Sequence, residues 1–409
     1  MIEGLKDNNL DWLFFGRTHI WPLKDSKNSR VLTYFKIIGQ IIRSFFLRKK
    51  KSKKYHGGLL FIDNSRHYDQ AKVISEQLDN LLYHNNTKQD LPFGKRVNLT
   101  KNIYFNYKYL IKYFPKFFKE ELSKDSKIFK SNLSLSIYGI LLYENYLRFF
   151  KDNKISYVVI FTDHTYKNRA LMYAAKKCKV KTVYIPHASV SQKFPPLETD
   201  IAFMEGRDMK MKYMGINKKF NLPLRTELIY SGNIKINSRR LARLGIYPEK
   251  IIGIAFNKLD SINKVEQFVD EILSNNIFRE YRIRLRPHPG VDYKLKGPSD
   301  RVSLSENRYQ SSIDFIESIE FLLSGDSNII LEAILLKTPS YILPFSNSFQ
   351  DNYSFIKNGL CPFIGTIGML AKYNKELQFE YNDDVIQEYD YSWNTGIDSV
   401  NLIAKTLNE

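Results

Sequence analysis

The sequence has few of the residues that build disulfide frameworks or zinc sites. Its 409 residues include two cysteines, Cys178 and Cys361, which lie far apart without a CxxC pair or a neighbouring histidine cluster. Such spacing is typical neither of disulfide-rich secreted domains nor of zinc modules. We therefore expect a protein of the reducing cytoplasm.

Long apolar runs are also missing. No stretch reaches the roughly 18 consecutive apolar residues that suggest a membrane-spanning helix. The first residues, MIEGLKDNNLDWLFFG, place acidic and amide side chains where a secretory signal carries basic ones. The sequence predicts neither a membrane span nor a secretory leader.

Several familiar binding motifs are absent. The chain lacks the GxGxxG loop and the P-loop, which argues against an NAD enzyme or an NTPase. It also lacks a DxD pair flanked by a strand, since the adjacent acids Asp383 and Asp384 lie in a polar stretch. We therefore expect no cofactor and no bound metal ion.

Basic residues are in excess. The 62 Lys and Arg outnumber 43 acidic residues and give a formal net charge of +19, which attracts phosphates, anionic lipids and polyanionic glycans. The basic residues interleave with Tyr and Phe and form no zinc-finger, RRM or helix-turn-helix pattern, so no nucleic-acid partner is expected.

The segment 30–54 combines an apolar pattern of close to helical period with a dense basic cluster at its end. Such a helix can lie in a membrane interface while its Lys and Arg contact anionic headgroups. A helix packed in the core and followed by a solvated basic loop is equally consistent with the pattern.

Strand and helix patterns alternate along most of the chain, and its length exceeds that of one ordinary core. Short apolar runs such as GGLLFID and SYVVIFTDH end in polar residues, as the strands of doubly wound α/β domains do. The polar, basic stretch 233–250 marks a boundary. We predict an α/β fold of two Rossmann-like domains facing a central cleft, with bounds 1–235 and 236–395 and a terminal helix, 396–409, packing back on the first.

The motif RLRPHPG is the sharpest signal. Arg284 and Arg286 alternate with an apolar residue, so both project to one side of a strand. Pro287 and Pro289 restrict the backbone around His288. An oriented imidazole beside arginines suits a phosphate, which it can hydrogen-bond or protonate as a leaving group. The alternative is a surface turn that His288 caps.

A second signal is LLSGDSNIILEAILLKTP, which predicts a strand, a small polar loop and a helix. Backbone amides and hydroxyls at Ser324, Gly325 and Ser327 can meet phosphate oxygens. Glu332, inside the helix, can hold ribose hydroxyls. The competing interpretation is that Asp326 or Ser327 is an ordinary N-cap.

Three further side chains follow predicted strands in the first domain: Asp163, His164 and His187. A carboxylate or imidazole at that position can take a proton from an acceptor hydroxyl. Asp163 and His164 are also consistent with caps of the following helix. Glu205, in FMEG, is the competing carboxylate.

RPHPG and SGDSNIILEA, followed by a further strand, resemble the GT-B glycosyltransferases of bacterial surface polysaccharides: sialyl- and polysialyltransferases, capsular Kdo transferases and teichoic-acid glycerophosphotransferases. The pattern covers most of residues 155–345. In the sialyltransferases a His-Pro motif and a downstream Ser/Thr motif bind the phosphate of a CMP-sugar. The resemblance implies that His288, Pro289, Ser324 and Ser327 belong to a donor site. It also implies that Asp163 is the general base, with Glu205 as the competing carboxylate.

One segment departs from that pattern. These enzymes usually carry Gln-His-Gly after the second strand of this region, whereas this chain has Pro186, His187 and Ala188. This departure separates the chain from the best-known subfamilies.

The resemblance implies an inverting, metal-independent transfer of a sugar, most simply from a CMP-activated acidic sugar, to a capsule or lipopolysaccharide glycan at the inner face of the cytoplasmic membrane. Residues 1–235 would bind the acceptor and 236–395 the donor. A CDP-glycerol, UDP-sugar or GDP-sugar transferase and a non-catalytic glycan or nucleotide-sugar binding protein are the alternatives. The predicted donor-binding residues are Lys258, Arg284, Arg286, Pro289, Gly290, Ser324, Gly325, Ser327 and Glu332, beside His288.

Overall fold

The computed structural model describes residues 38–46, 53–87, 89–100, 103–113, 133–192, 194–236, 250–289, 291–295, 300–305, 310–347, 349–376 and 379–409. Most of the predicted amphipathic segment 30–54 and the predicted donor residue Gly290 lie outside them. Within the described residues the chain forms two compact units. Unit 1 runs up to Met204, resumes over Met209–Tyr230 and includes Val400–Glu409, whereas unit 2 comprises Glu205–Asp208 and Ser231–Ser399.

Unit 1 contains a seven-stranded sheet in its described part, in the order β3-β2-β1-β4-β5-β6-β7 with every neighbouring pair parallel. Its central strands read as apolar runs because both faces are buried, and Leu59 to Ile62 have no exposed surface. The strands are β1 (His56–Ile62), β2 (Leu82–Asn85), β3 (Lys95–Arg96), β4 (Lys154–Ile160), β5 (Lys181–Tyr184), β6 (Ile201–Met204) and β7 (Glu227–Tyr230).

Helices connect these strands. The helix after β4 begins where Thr165 caps it by accepting a hydrogen bond from the Asn168 N–H, and its residues from Asn168 to Ala175 are buried. The helices are α1 (Ser65–Ser75), α2 (Leu133–Asp152), α3 (Tyr166–Lys177) and α4 (Arg207–Lys219), with a 3-10 helix at Ile103–Tyr113.

Unit 2 contains a five-stranded parallel sheet in its described part, in the order β10-β9-β8-β11-β12. Neighbouring side chains pack closely on Gly253 in its central strand, where a Cβ would come within 2.3 Å of the Ile319 side chain. The strands are β8 (Ile251–Phe256), β9 (Arg282–Pro287), β10 (Val302–Leu304), β11 (Phe321–Ser324) and β12 (Ser340–Ile342).

The helices of unit 2 include one with a reciprocal cap. At its start the Ser311 hydroxyl accepts from the Asp314 N–H while the Asp314 carboxylate accepts from the Ser311 N–H. The helices are α5 (Ile262–Ser274), α6 (Ser312–Glu317), α7 (Ile329–Leu335), α8 (Ile367–Glu376) and α9 (Asp383–Tyr389).

The last helix, α10 (Ser399–Asn408), belongs to unit 1 from Val400 onward, and the Asn408 side chain donates to the Gln77 carbonyl over 3.3 Å. Among the described residues no helix is long and apolar enough to cross a bilayer.

Both sheets reverse strand order next to their first strand, between β1 and β4 in unit 1 and between β8 and β11 in unit 2. Ligands of doubly wound α/β domains bind beyond the carboxyl ends of the strands at such a reversal. The predicted class, two Rossmann-like α/β domains, is confirmed. The carboxyl edge beside each reversal is therefore where a ligand site is expected in each unit.

Candidate functional site

His288 begins the loop that follows β9. Its N–H donates to the Phe256 carbonyl over 2.8 Å, and its own carbonyl accepts from the Val291 N–H over 2.7 Å. These bonds hold the loop against the end of β8, the first strand of the sheet. Residue His288 is partly exposed and Pro289 is exposed, so the predicted phosphate ligand lies at the carboxyl edge of the unit 2 sheet.

Arg286 is engaged inside the protein. Its guanidinium donates to the Ser305 hydroxyl over 2.7 Å and to the Gln310 carbonyl over 3.0 Å, and it lies over the ring of Phe315. These contacts tie β9 to the segment leading into α6. Arg284, two residues earlier on the same side of the strand, is partly exposed.

Some residues of the predicted phosphate-binding site after β8 and β11 are internal, whereas others have exposed surface. The hydroxyl of Ser324 is fully buried and donates to the Ala255 carbonyl over 2.9 Å, joining β11 to β8. Gly325 leaves no room for a side chain, because a Cβ would lie 2.5 Å from an Asp260 oxygen. Ser327 is partly exposed, and Lys258, in the turn after β8, is exposed.

Two carboxylates at this edge were not predicted as site residues: Asp260 was not singled out, and Asp326 was considered only as an N-cap. Burial raises the pKa of Asp260 to about 6, the Asn257 N–H lowers it by donating over 2.7 Å, and the charge of Asp326 raises it further. Asp326 accepts from the N–H and the side-chain amide of Asn352. Acidic residues in the turns that follow two apolar strands, in FNKLD and SGD, were the available signal.

Glu332 lies in a buried, charged group of side chains. The Lys235 ammonium is 3.9 Å from its Oε1, and both side chains are about nine-tenths buried. Glu205 belongs to the same group in unit 2, where it accepts from the Asn233 amide over 2.8 Å. Burial raises the pKa of Glu205 to about 8, and Asp390 contributes to the increase.

Glu205 is therefore a protonated, internal acid near neutral pH. It was predicted as a carboxylate on the acceptor side of the first domain, but it is 3% exposed and contacts side chains of unit 2.

Asp163 follows β4 and is held on several sides. The Tyr213 hydroxyl donates to its Oδ2 over 2.8 Å, and Arg169 donates to its carbonyl over 3.3 Å. Its side chain is 3% exposed. A carboxylate held in this way can orient a neighbour, and it has little surface on which to meet a substrate hydroxyl.

His164 is that neighbour. Its Nδ1 lies 3.3 Å from Asp163 Oδ1 and 3.0 Å from the Thr162 hydroxyl, and its ring lies 4.6 Å from that of Phe194. The side chain is 21% exposed. The helix α3 is capped by Thr165 instead, so the alternative interpretation of His164 as its cap does not hold.

His187 follows β5. Its Nδ1 lies 2.7 Å from the Phe161 carbonyl. A carbonyl only accepts, so Nδ1 carries the proton and Nε2 is the basic nitrogen of the neutral ring. The residue is partly exposed, and its orientation is fixed by the backbone next to β4.

Other polar residues near this edge were not singled out from the sequence. The ring of His67, in α1, packs 4.9 Å from that of His187. Gln70 donates to the carbonyl of Pro186, the residue before His187, over 2.7 Å. Asp63, directly after β1, pairs with Lys167 over 2.8 Å. The aspartate of GGLLFID at the predicted strand end was the signal.

Each unit thus places titratable side chains at the carboxyl edge of its sheet. In unit 1 these include two partly exposed histidines, one of which has a defined tautomer. In unit 2 they include a histidine, two carboxylates and an exposed lysine. Among the described residues no group of three or more His, Cys, Asp or Glu side chains is arranged to hold a metal ion.

The architecture is that of the GT-B class, two Rossmann-like domains built on parallel sheets. Among solved structures it is similar to the wall teichoic acid polymerase TagF (TM-score 0.56, 13% identity, covering 94% of this chain and 98% of that one). It is also similar to the UDP-GlcNAc 2-epimerase of Neisseria meningitidis, solved with UDP-GlcNAc (TM-score 0.56, 14% identity, covering 86% and 99%).

A third similar structure is the glycotransferase of kitacinnamycin (TM-score 0.52, 11% identity, covering 87% of this chain and 100% of that one). No protein-family profile matches the chain, and comparison with curated proteins gave no match. At these identities the likeness establishes the fold.

Proposed function

We propose that the protein is an inverting glycosyltransferase that moves a sugar from a nucleotide-activated donor to a glycan acceptor. The observation that carries the proposal is the set of partly exposed histidines at the carboxyl edges of both sheets, His288 in unit 2 and His164 and His187 in unit 1. Similarity to the glycotransferase of kitacinnamycin and to TagF supports the class of reaction.

In this proposal unit 2 binds the donor. The imidazole of His288 contacts the phosphate next to the sugar and stabilises the charge that develops as the glycosidic bond breaks. Lys258, Arg284 and Ser327, which have exposed surface, add positive charge and a hydroxyl. Pro289 and Gly290, which follow His288 in the sequence, are proposed to contribute to the donor site as well.

Three of the predicted donor residues are proposed to stabilise the strand ends and loops that carry the site. Arg286 and Ser324 hold the strand ends through their internal hydrogen bonds, and Gly325 allows the close approach of Asp260. Glu332 is proposed to bind the ribose hydroxyls, with its carboxylate oriented by Lys235.

Unit 1 is proposed to supply the base. Asp163 was predicted for this role, and its contacts favour an indirect form of it, in which the carboxylate orients His164. His187 is the stronger candidate for direct proton transfer, because its hydrogen bond to the Phe161 carbonyl leaves Nε2 as the basic nitrogen. An imidazole base at this edge needs no metal ion to activate the acceptor.

The donor is proposed to be a CMP-activated acidic sugar, on the resemblance of RPHPG and SGDSNIILEA to the sialyltransferase motifs. CDP-glycerol, UDP-sugars and GDP-sugars are the alternatives. Similarity to the UDP-GlcNAc 2-epimerase adds epimerisation of a nucleotide sugar as a second candidate function. The two functions can be told apart, because an epimerase acts on its nucleotide sugar without an acceptor.

The acceptor is proposed to be a capsule or lipopolysaccharide glycan at the inner face of the cytoplasmic membrane. The described part of the amphipathic segment supports the proposal that the protein binds a membrane surface. Residues 38–46 are helical, and Ile38, Ile42, Phe45 and Phe46 are 48%, 56%, 59% and 82% exposed. Their spacing places them on one stripe of the helix, directly before the basic cluster in the sequence.

A donor panel tests the proposal. Purified protein is titrated calorimetrically with CMP-, CDP-, UDP- and GDP-activated donors, and nucleotide release is measured with each in the presence and absence of EDTA. We expect one donor class to bind and turn over with acceptor and EDTA to have no effect. Binding without turnover in native acceptor extracts favours the binding protein, and loss of turnover in EDTA contradicts metal independence.

A further inference from the structure

The surface of unit 1 has a groove that the sequence did not predict. It has a volume of about 580 Å³ and is formed by helix α4 and the segment that leads into β7. That volume is within the usual range of small-molecule sites, about 300–1,000 Å³. The lining residues are Lys210, Met214, Asn217, Lys218, Leu222, Leu224, Thr226 and Leu228.

Four of the eight residues that line the groove are apolar. Met214 and Leu222 are 45% and 40% exposed, and two further leucines line the same space. The two neutral polar residues of the lining are occupied within the protein. Asn217 exchanges hydrogen bonds with the Leu197 backbone, and Thr226 donates to the Thr199 carbonyl. Apolar surface of this kind in a concave place is typical of a ligand site.

Two lysines flank the apolar surface. Lys210 and Lys218 lie four residues before and after Met214 in α4, so all three share one face, about 6 Å apart per step along the helix. Lys210 lies over the Tyr230 ring at 5.5 Å. The groove therefore offers a hydrocarbon surface between two ammonium groups.

This combination selects the chemistry of the occupant. A free phosphate or a nucleotide would use the lysines and leave the leucines exposed, and an uncharged alkyl chain would leave the lysines without a counterion. An anionic amphiphile satisfies both. We infer that the groove binds an anionic membrane phospholipid, with an acyl chain against the leucines and its phosphate between the lysines. This inference does not depend on the proposed transferase activity.

The experiment measures sedimentation of the full-length protein with phosphatidylcholine vesicles containing 30% phosphatidylglycerol. Lys210→Gln with Lys218→Gln is compared with Lys177→Gln with Lys219→Gln, two exposed lysines outside the groove, so that both pairs lose the same charge. We expect the groove pair to weaken binding about 25-fold, about fivefold per lysine, and the control pair to weaken it much less.

Further measurements distinguish a lipid phosphate from free phosphate as the bound anion, and the groove from other surfaces as the site of vesicle binding. Inorganic phosphate at millimolar concentration should not displace the vesicles, and Leu222→Gln with Leu224→Gln should weaken binding without a change of charge. The loss of vesicle binding caused by Lys210→Gln with Lys218→Gln should persist when Ile42→Ser and Phe46→Ser are also present. Those two changes remove apolar side chains from the exposed stripe of residues 38–46.

Equal losses in the two lysine pairs would overturn the inference, because net charge alone would then explain binding. Unchanged vesicle binding in the leucine variant, at an unchanged melting temperature, would overturn it as well. Turnover on a soluble acceptor, measured in parallel, is not expected to change, so failure of the transferase proposal is recorded separately.

Discussion

The side chains of His187 and Asp163 are held by contacts that predict different roles. His187 is oriented by a backbone carbonyl and keeps exposed surface, whereas Asp163 is buried and accepts from Tyr213. His187→Gln should lower transfer by on the order of 10²- to 10⁴-fold, because the base is lost, while donor affinity is retained. Turnover assays paired with calorimetric titration of donor measure both effects.

The matched variant is Asp163→Asn, which keeps the size of the side chain. If Asp163 acts through His164, Asp163→Asn also lowers the rate of transfer and leaves donor binding intact. A higher pH should not restore the native rate of transfer in either Asp163→Asn or His187→Gln. Near-native transfer in His187→Gln together with a large loss in Asp163→Asn would make the Asp163–His164 pair the base.

His288 is expected to affect both donor binding and the chemical step. In His288→Ala the contact with the donor phosphate is lost, and that contact strengthens as negative charge develops on the leaving group. Donor affinity and turnover should therefore both fall, with turnover falling more. Native binding and turnover in this variant would return the RPHPG loop to the role of a surface turn.

Glu205 makes folding stability depend on pH. Its pKa is raised to about 8 in the folded protein, above the unfolded value of 4.5. As pH rises, the unfolded chain therefore loses this proton before the folded protein does. The free energy of unfolding that the protonated acid contributes below about pH 4.5 is lost progressively between pH 4.5 and pH 8, by up to about 1.4 kcal/mol per pH unit.

Glu205→Gln should remove that loss, because the amide stays neutral and its oxygen can still accept from Asn233. Urea unfolding at pH 5 and pH 8 tests it: the variant should gain stability relative to the wild type at pH 8. Glu227→Gln, at an exposed position, is the control. An equal pH dependence in wild type and Glu205→Gln would show that the acid is ionised in the folded state.

At the scale of elements, local sequence was sufficient for the strands and insufficient for the contacts of their ends. The apolar runs ending in polar residues predicted β1, β4 and β8, because strands buried on both faces leave that pattern, whereas β9 was predicted from the alternation of arginine with apolar residues. The same pattern could not show that Arg286 is engaged with Ser305 and Gln310, or that Tyr213 binds Asp163, since these partners lie 19, 24 and 50 residues away in the chain.

The helical residues 38–46 bear on the two interpretations of the amphipathic segment. Ile41 and Ser44 are buried, whereas one stripe of apolar side chains faces outward. Replacing Lys49, Lys50, Lys51, Lys53 and Lys54 with Gln should weaken binding to anionic vesicles strongly, by about 1 kcal/mol for each residue near the surface, and leave turnover on a soluble acceptor nearly unchanged.

The control for that variant removes the same charge from five exposed lysines elsewhere, Lys151, Lys154, Lys177, Lys181 and Lys219. Flotation of vesicles with each protein compares the two. Unchanged vesicle binding in the cluster variant would support the solvated basic loop instead.

At the scale of the molecule, the fold is confirmed and the function is a proposal that depends on particular side chains. The alternation of strands and helices predicted two Rossmann-like domains, and the parallel sheets of seven and five described strands confirm them. GT-B architecture is shared by the teichoic acid polymerase and the epimerase to which this chain is similar, so function depends on the residues at the strand ends.

Acceptor dependence of nucleotide release tests the central claim most directly. The bound donor class is incubated with wild-type protein and with His187→Gln, with and without membrane glycan extract, and released nucleotide is measured. The account predicts release that requires acceptor and falls on the order of 10²-fold or more in the variant. Equal release without acceptor, or a sugar epimerised in place, would contradict glycosyl transfer.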